Sequence, residues 1–163
     1  MSYWEASGKS DEWYTPPCVF EALGCAFDLD VAGSRYARVP ASSTIFSNSL
    51  KTPWTGFIWM NPPFGGRNAI TPWLDKFILH GNGIALTPDR TSAPWFQDAM
   101  PEMDAILFTR KLKFLRPDGT EGGSPSNGTA LMAIGWQGVA ALHRAASVGF
   151  GILSIPKRVR NAA

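Results

Sequence analysis

Apolar positions in this chain fall into short runs separated by polar turns rich in proline and glycine. Phe57-Ile58-Trp59-Met60 is one such run, and it stops abruptly at Asn61-Pro62-Pro63-Phe64-Gly65-Gly66. This is the pattern of a buried strand that delivers a stiff polar turn to the edge of a sheet. Upstream, Val19, Phe20 and Leu23 share one face of a helix that starts after Thr15-Pro16-Pro17; Thr15 can supply the cap, and proline suits a first turn. Phe27-Asp28-Leu29-Asp30-Val31 alternates apolar and acidic residues and breaks at Ala32-Gly33-Ser34, which predicts a strand ending in a tight turn. Residues 35–55 lack a regular pattern and read mostly as loop.

Downstream, Trp73 and Phe77, like Leu74 and Ile78, are spaced four apart in a helix that opens at Thr71-Pro72 and closes at His80-Gly81. Gly83–Thr87 reads as a buried strand, followed by a turn over Pro88–Ser92 before the segment with Trp95 and Phe96. Ala105–Phe108 predicts a further strand, and Lys111–Leu115 alternates as a half-exposed one. A loop rich in Gly and Pro covers 116–128, then come a strand at Thr129–Ile134, a helix at Val139–Val148 and a strand at Phe150–Ile155. This alternation predicts an α/β fold with a mostly parallel sheet flanked by helices and an antiparallel hairpin late in the chain.

Composition narrows the picture. With 163 residues, 45% of them hydrophobic, the chain suits a single domain over 1–163, with 1–11 and 157–163 as loose arms. Cys18 and Cys25 match neither a redox pair nor a zinc framework, and the two His are scattered, so no metal site is expected. No apolar run is long enough to span a bilayer, which points to a cytoplasmic protein without membrane partners. The net charge of +2 is unevenly spread: residues 1–103 carry 7 basic and 10 acidic side chains, whereas 104–163 carry 8 and 3. Arg110, Lys111, Lys113 and Arg116, with Lys157, Arg158 and Arg160 in the tail, form either a phosphate-binding surface or a merely solvated one. Arg90, at a strand-to-loop junction, joins them as a candidate nucleic-acid contact.

The chemistry concentrates after Met60. The amide oxygen of Asn61 and the carbonyl of Pro62 can both accept from one –NH₂ group, while Phe64 offers a ring face for a planar heterocycle. An exocyclic amine on a flat base fits that set. The stretch resembles motif IV, the Asn-Pro-Pro-aromatic signature of amino methyltransferases, and the chain as a whole resembles phage-encoded DNA N6-adenine methyltransferases. The resemblance implies a compact Rossmann-like methyltransferase fold, S-adenosylmethionine as cofactor, DNA as partner and, if phage-encoded, the host cytoplasm as location. It implies catalytic roles for Asn61, Pro62, Pro63 and Phe64.

Thr15-Pro16-Pro17, with Trp13 before it, resembles motif X, which implies that Trp13, Thr15 and Pro16 hold the methionine end of the cofactor. Asp30-Val31-Ala32-Gly33-Ser34 resembles motif I, which implies cofactor contacts from Asp30, Ala32 and Ser34, alongside Asn61; here Val31 stands for the usual proline and Arg35 for the final glycine. No Asp or Glu lies between Asp30 and Asp75, so Asp28 or Asn48 becomes the candidate for the ribose hydroxyls that an acidic residue commonly grips. Two alternatives stay open: a methyltransferase for cytosine N4 or another amine or amide, and a catalytically silent DNA-binding relative.

Overall fold

In the computed structural model, which describes residues 13–63, 65, 66, 68–123 and 127–157, the apolar runs become the inner strands of one sheet. The strands are β1 (Phe27–Asp30), β2 (Ala41–Thr44), β3 (Ile58–Met60), β4 (Gly83–Pro88), β5 (Ala105–Thr109), β6 (Thr129–Ile134) and β7 (Gly151–Ser154), in the order β2-β1-β3-β4-β6-β5-β7. Pairing is parallel from β2 through β4 and antiparallel from β4 through β7. It follows that β1 to β5 all run one way and only β6 and β7 run against them. The sheet is mostly parallel in direction, and its antiparallel part is wider than a late hairpin because β6 inserts between β4 and β5.

Helices α1 (Pro17–Leu23), α2 (Thr71–His80), α3 (Pro94–Ala99) and α4 (Trp136–Ser147) flank the sheet. One core holds Val19 and Leu23 of α1 and Leu142 of α4 against Trp59, Ile84 and Leu131. The other holds Leu74 and Phe77 of α2 and Phe96 of α3 against Ile58, Met60 and Ile106. This explains the unbroken apolar run before Asn61: β3 is buried on both faces, so it needs no polar alternation. Gly81, in the left-handed region at φ 75°, ends α2, and His80 in its last turn bonds through Nε2 to the Gly56 carbonyl at 2.8 Å. No helix among the described residues is long and apolar enough to cross a membrane.

Several expectations need correction. Part of the 35–55 segment is strand β2, whose Ala-Ser-Ser-Thr sequence is polar because it forms the sheet's edge. Lys111–Leu115 is not a strand. Leu112 and Phe114 are buried and Lys111 and Lys113 exposed as the alternation requires, but only Leu115 pairs, through isolated bridges to Tyr14 and Glu121. The following loop begins as a tight hairpin: Gly119 N–H donates to Arg116 O at 2.8 Å and Arg116 N–H to Thr120 O at 2.8 Å, with Gly119 at φ 83°. Pro117 and Asp118 occupy the central positions that such a turn favours. Helix α4 starts at Trp136 rather than Val139. Thr15 does not cap α1, whose N-cap is Pro16 with no side-chain hydrogen bond. The N-terminal arm to Asp11 and the tail from Arg158 onward, Arg160 included, lie outside the described residues.

Candidate active site at the switch in strand order

The chain leaves β1 for β2 on one side and reaches β3 on the other, so the carboxyl ends of β1 and β3 bound the crevice where open α/β sheets collect ligands. Asp30 is the last residue of β1, and Asn61 follows the last residue of β3. Parallel pairing sets them side by side, with Asp30 in register with Trp59 and Val31 N–H donating to the Trp59 carbonyl at 3.0 Å.

Asp30 is only 3% exposed. Its Oδ1 accepts from Ala32 N–H at 3.2 Å, which makes the turn after β1, and no cationic side chain pairs with it among the described residues. Burial pushes its pKa up to about 6, against the smaller opposing pull of the Ala32 N–H. A carboxylate held this way carries an uncompensated desolvation cost and gains from any ammonium group that reaches it. The turn it supports is tight: a Cβ on Gly33 would stand 2.0 Å from the Thr44 methyl at the end of β2, and Gly33 N–H donates to the Ile45 carbonyl at 3.1 Å. This close approach accounts for glycine at that position.

The carboxamide of Asn61 is fixed from the N-terminal segment. Its Nδ2 donates to Thr15 Oγ1 at 3.1 Å and, more weakly, to the Trp13 carbonyl at 3.4 Å. Between these two, Tyr14 is buried and pinned in three ways: Tyr14 N–H donates to the Leu115 carbonyl at 2.9 Å, Leu115 N–H donates to the Tyr14 carbonyl at 3.0 Å, and the Tyr14 hydroxyl bonds Ser34 Oγ at 2.7 Å. The segments likened to motifs X, I and IV therefore meet at one place. With both amide hydrogens engaged, Oδ1 is the atom of Asn61 left to accept a hydrogen bond. Pro62, buried, and Pro63, exposed, follow without N–H donors, and Phe64 lies outside the described residues.

Other candidates sit elsewhere or carry different partners. Asp28 Oδ2 accepts from Phe57 N–H at 2.7 Å and presses against Gly56, so its carboxylate ties down the start of β3 instead of lining the carboxyl edge. Asn48 is exposed in the left-handed region beyond β2 at φ 53°, where its backbone carbonyl caps a short 3-10 turn. Ala32 and Ser34 stand half-buried in the turn after β1, Pro16 is buried, and Trp13 is 39% exposed with its ring against Gly122 of the hairpin.

Among the basic residues, Arg90, Arg110, Lys111, Lys113 and Arg116 are all exposed. Arg116 Nη1 braces the hairpin by donating to the Glu121 carbonyl at 2.7 Å, and Lys113 faces Glu121 Oε2 at 3.3 Å in an exposed pair of small energetic weight. Arg110 and Lys111 have no side-chain partner among the described residues. No group of three or more His, Cys, Asp or Glu that could hold a metal exists among the described residues.

Sequence reading missed Tyr14 and β2. Tyr14 carried a signal in its place between Trp13 and Thr15-Pro16; β2 carried almost none. In comparison with known proteins, the family model described as DNA N-6-adenine-methyltransferase (Dam) matches residues 5–149. No curated protein and no solved structure matches.

Proposed function

The chain belongs to the DNA N-6-adenine-methyltransferase (Dam) family, and from that membership we propose that it transfers a methyl group from S-adenosylmethionine to the N6 amine of adenine in DNA. The observation that carries this reading is the Asn61 carboxamide, whose two amide hydrogens are held by Thr15 and Trp13, so that its oxygen is the atom left to accept beside a proline carbonyl. That set receives an –NH₂ group and has nothing to offer a carbonyl oxygen.

One feature of the crevice supports S-adenosylmethionine: buried Asp30, which has no cationic side-chain partner among the described residues, offers a partner for an ammonium group. Ala32 and Ser34 of the same turn would line the amino-acid end. When bound, the cofactor supplies a methyl group made electrophilic by a sulfonium. Asn61 Oδ1 and the Pro62 carbonyl accept the two N6 hydrogens of an adenine taken out of the stack, which draws the nitrogen lone pair away from ring conjugation and makes it nucleophilic. Phe64, by its sequence position, would stack on the base. As the nitrogen gains a methyl it becomes acidic and gives a proton to water, so no His or strong general base is needed. Much of the acceleration comes from positioning.

The direct test is incubation with methyl-tritiated cofactor and DNA, followed by digestion. Label in N6-methyldeoxyadenosine is expected; label confined to N4-methylcytosine, or none, would overturn the proposal.

The DNA is assigned to the basic surface of the last third of the chain. Replacing Arg110, Lys111 and Lys113 by Ala should weaken binding to all DNA sequences alike and lower the slope of log K against log salt by roughly one unit per lost phosphate contact. Cofactor affinity should stay unchanged. Arg116 is best left in place, since its guanidinium holds the hairpin and its loss would disturb shape as well as charge. A salt slope equal to that of the wild type would reduce the cluster to solvated surface.

A further inference from the structure

The chain contains two Pro-Pro pairs, Pro16-Pro17 and Pro62-Pro63, and each is preceded by a polar residue, Thr15 and Asn61. The fold sets these two residues against each other with Asn61 Nδ2 donating to Thr15 Oγ1 at 3.1 Å, although 46 positions separate them. A residue before proline is confined to extended backbone, so both partners of this hydrogen bond are presented on stiff supports. Thr15 is anchored further by its neighbour, because Tyr14 is bonded through its N–H, its carbonyl and its hydroxyl.

Resting on the functional reading above, we infer that Thr15 is a positioning residue for the methyl-transfer step: it holds the Asn61 amide in the orientation that presents Oδ1, and not Nδ2, to the target amine. The two ends of a carboxamide have nearly the same shape, so a half-turn about χ2 would replace an acceptor by a donor and set –NH₂ against –NH₂. The Thr15 hydroxyl alone does not forbid this, since it can donate as well as accept. The Trp13 carbonyl accepts only, and it lies 3.4 Å from the same Nδ2. Thr15 therefore supplies the strong pin and the Trp13 carbonyl supplies the polarity. This differs from the role that the motif X resemblance implies for Thr15, a contact with the methionine end of the cofactor.

Two variants and two kinds of measurement separate these roles. Thr15→Val keeps the shape and removes the acceptor; Thr15→Ser keeps the acceptor. At saturating cofactor and DNA, kcat of Thr15→Val should fall about 10- to 100-fold, as for a misaligned reacting group, with Thr15→Ser within a few-fold of the wild type. The Kd for S-adenosylmethionine by calorimetry should stay within a few-fold in both. In protein labelled with ¹⁵N-asparagine, free of cofactor and DNA, the Asn61 side-chain amide, identified by its absence from Asn61→Ala, should exchange with solvent slowly in wild type and Thr15→Ser and at least ~10-fold faster in Thr15→Val. An active wild type with an equally active Thr15→Val would overturn the inference alone. So would a tenfold weaker cofactor affinity with unchanged kcat, which restores the cofactor-contact role. A folded wild type that methylates no adenine would overturn the functional reading, and this inference with it.

Discussion

Asp30→Asn should melt at a higher temperature than the wild type at pH 8 and lose its response to S-adenosylmethionine. The reason is that Asp30 is 3% exposed, bonded among the described residues to the Ala32 N–H alone, and pushed from an ordinary 3.8 up to about 6 by burial. A carboxyl group whose folded pKa lies above its unfolded one binds its proton more tightly in the native state. Its penalty is therefore absent below the unfolded value, grows as pH rises between the two values, and is fully present above about 6. At 1.36 kcal/mol per unit, the wild type carries a penalty of about 3 kcal/mol at pH 8. Asparagine keeps the oxygen that accepts from Ala32 and removes the charge, so it should recover most of that sum, roughly 5–10 °C in a chain of this size.

The same substitution removes the proposed partner for the cofactor's ammonium. The free wild type should thus lose stability relative to Asp30→Asn as pH rises from about 4 to 7, with the two melting alike at pH 4, and saturating S-adenosylmethionine should raise only the wild type. Scanning calorimetry at pH 4 and 8, with and without cofactor, measures all four conditions. If Asp30→Asn melts lower at pH 8, the carboxylate stabilises the turn in its charged form; if it still binds cofactor as the parent does, the ammonium is held elsewhere. A residue that costs stability in the free protein and repays it on binding is how a site is expected to differ from a core.

The two aspartates of β1 show where sequence reading stops. Asp28 and Asp30 lie two apart, so they share a strand face and look alike in the sequence. Register separates them: Asp30 ends β1 beside Trp59, at the carboxyl edge that bounds the crevice, while Asp28 falls opposite Phe57 and takes its N–H. That pairing depends on a segment nearly thirty residues away. β3 was legible because burial on both faces removes every polar residue and the Asn-Pro-Pro turn marks its end, whereas β2 was not, since an edge strand of Ala-Ser-Ser-Thr has neither an apolar face nor branched bulk beyond its Thr. In Lys111–Leu115 the alternation was real but reported only which side chains point inward; strand formation also needs a partner, and only Leu115 finds one. The Asn61–Thr15 contact left a trace in the repeated polar-Pro-Pro pattern, without any indication that the two copies meet.

Asn61→Ala should lower methyl transfer by about 10²- to 10³-fold while leaving cofactor affinity within a few-fold, because it removes the acceptor proposed to act on the reacting amine. The fold should survive, since Asn61 is only half-buried and Pro62 and Pro63 still stiffen the turn. Asn61→Asp is the informative companion. It retains an acceptor for the amine, and the Thr15 hydroxyl can reverse its role and donate to the new carboxylate; the Trp13 carbonyl, 3.4 Å from the present Nδ2, can only repel it. Asn61→Asp should therefore fall between the wild type and Asn61→Ala, nearer the wild type, with the loss in kcat. Single-turnover rates on adenine-containing DNA at saturating cofactor measure this order. An alanine variant as fast as the wild type would remove Asn61 from the chemistry, and an aspartate variant as slow as alanine would mean that the neutral amide itself, and not merely its oxygen, is required at that position.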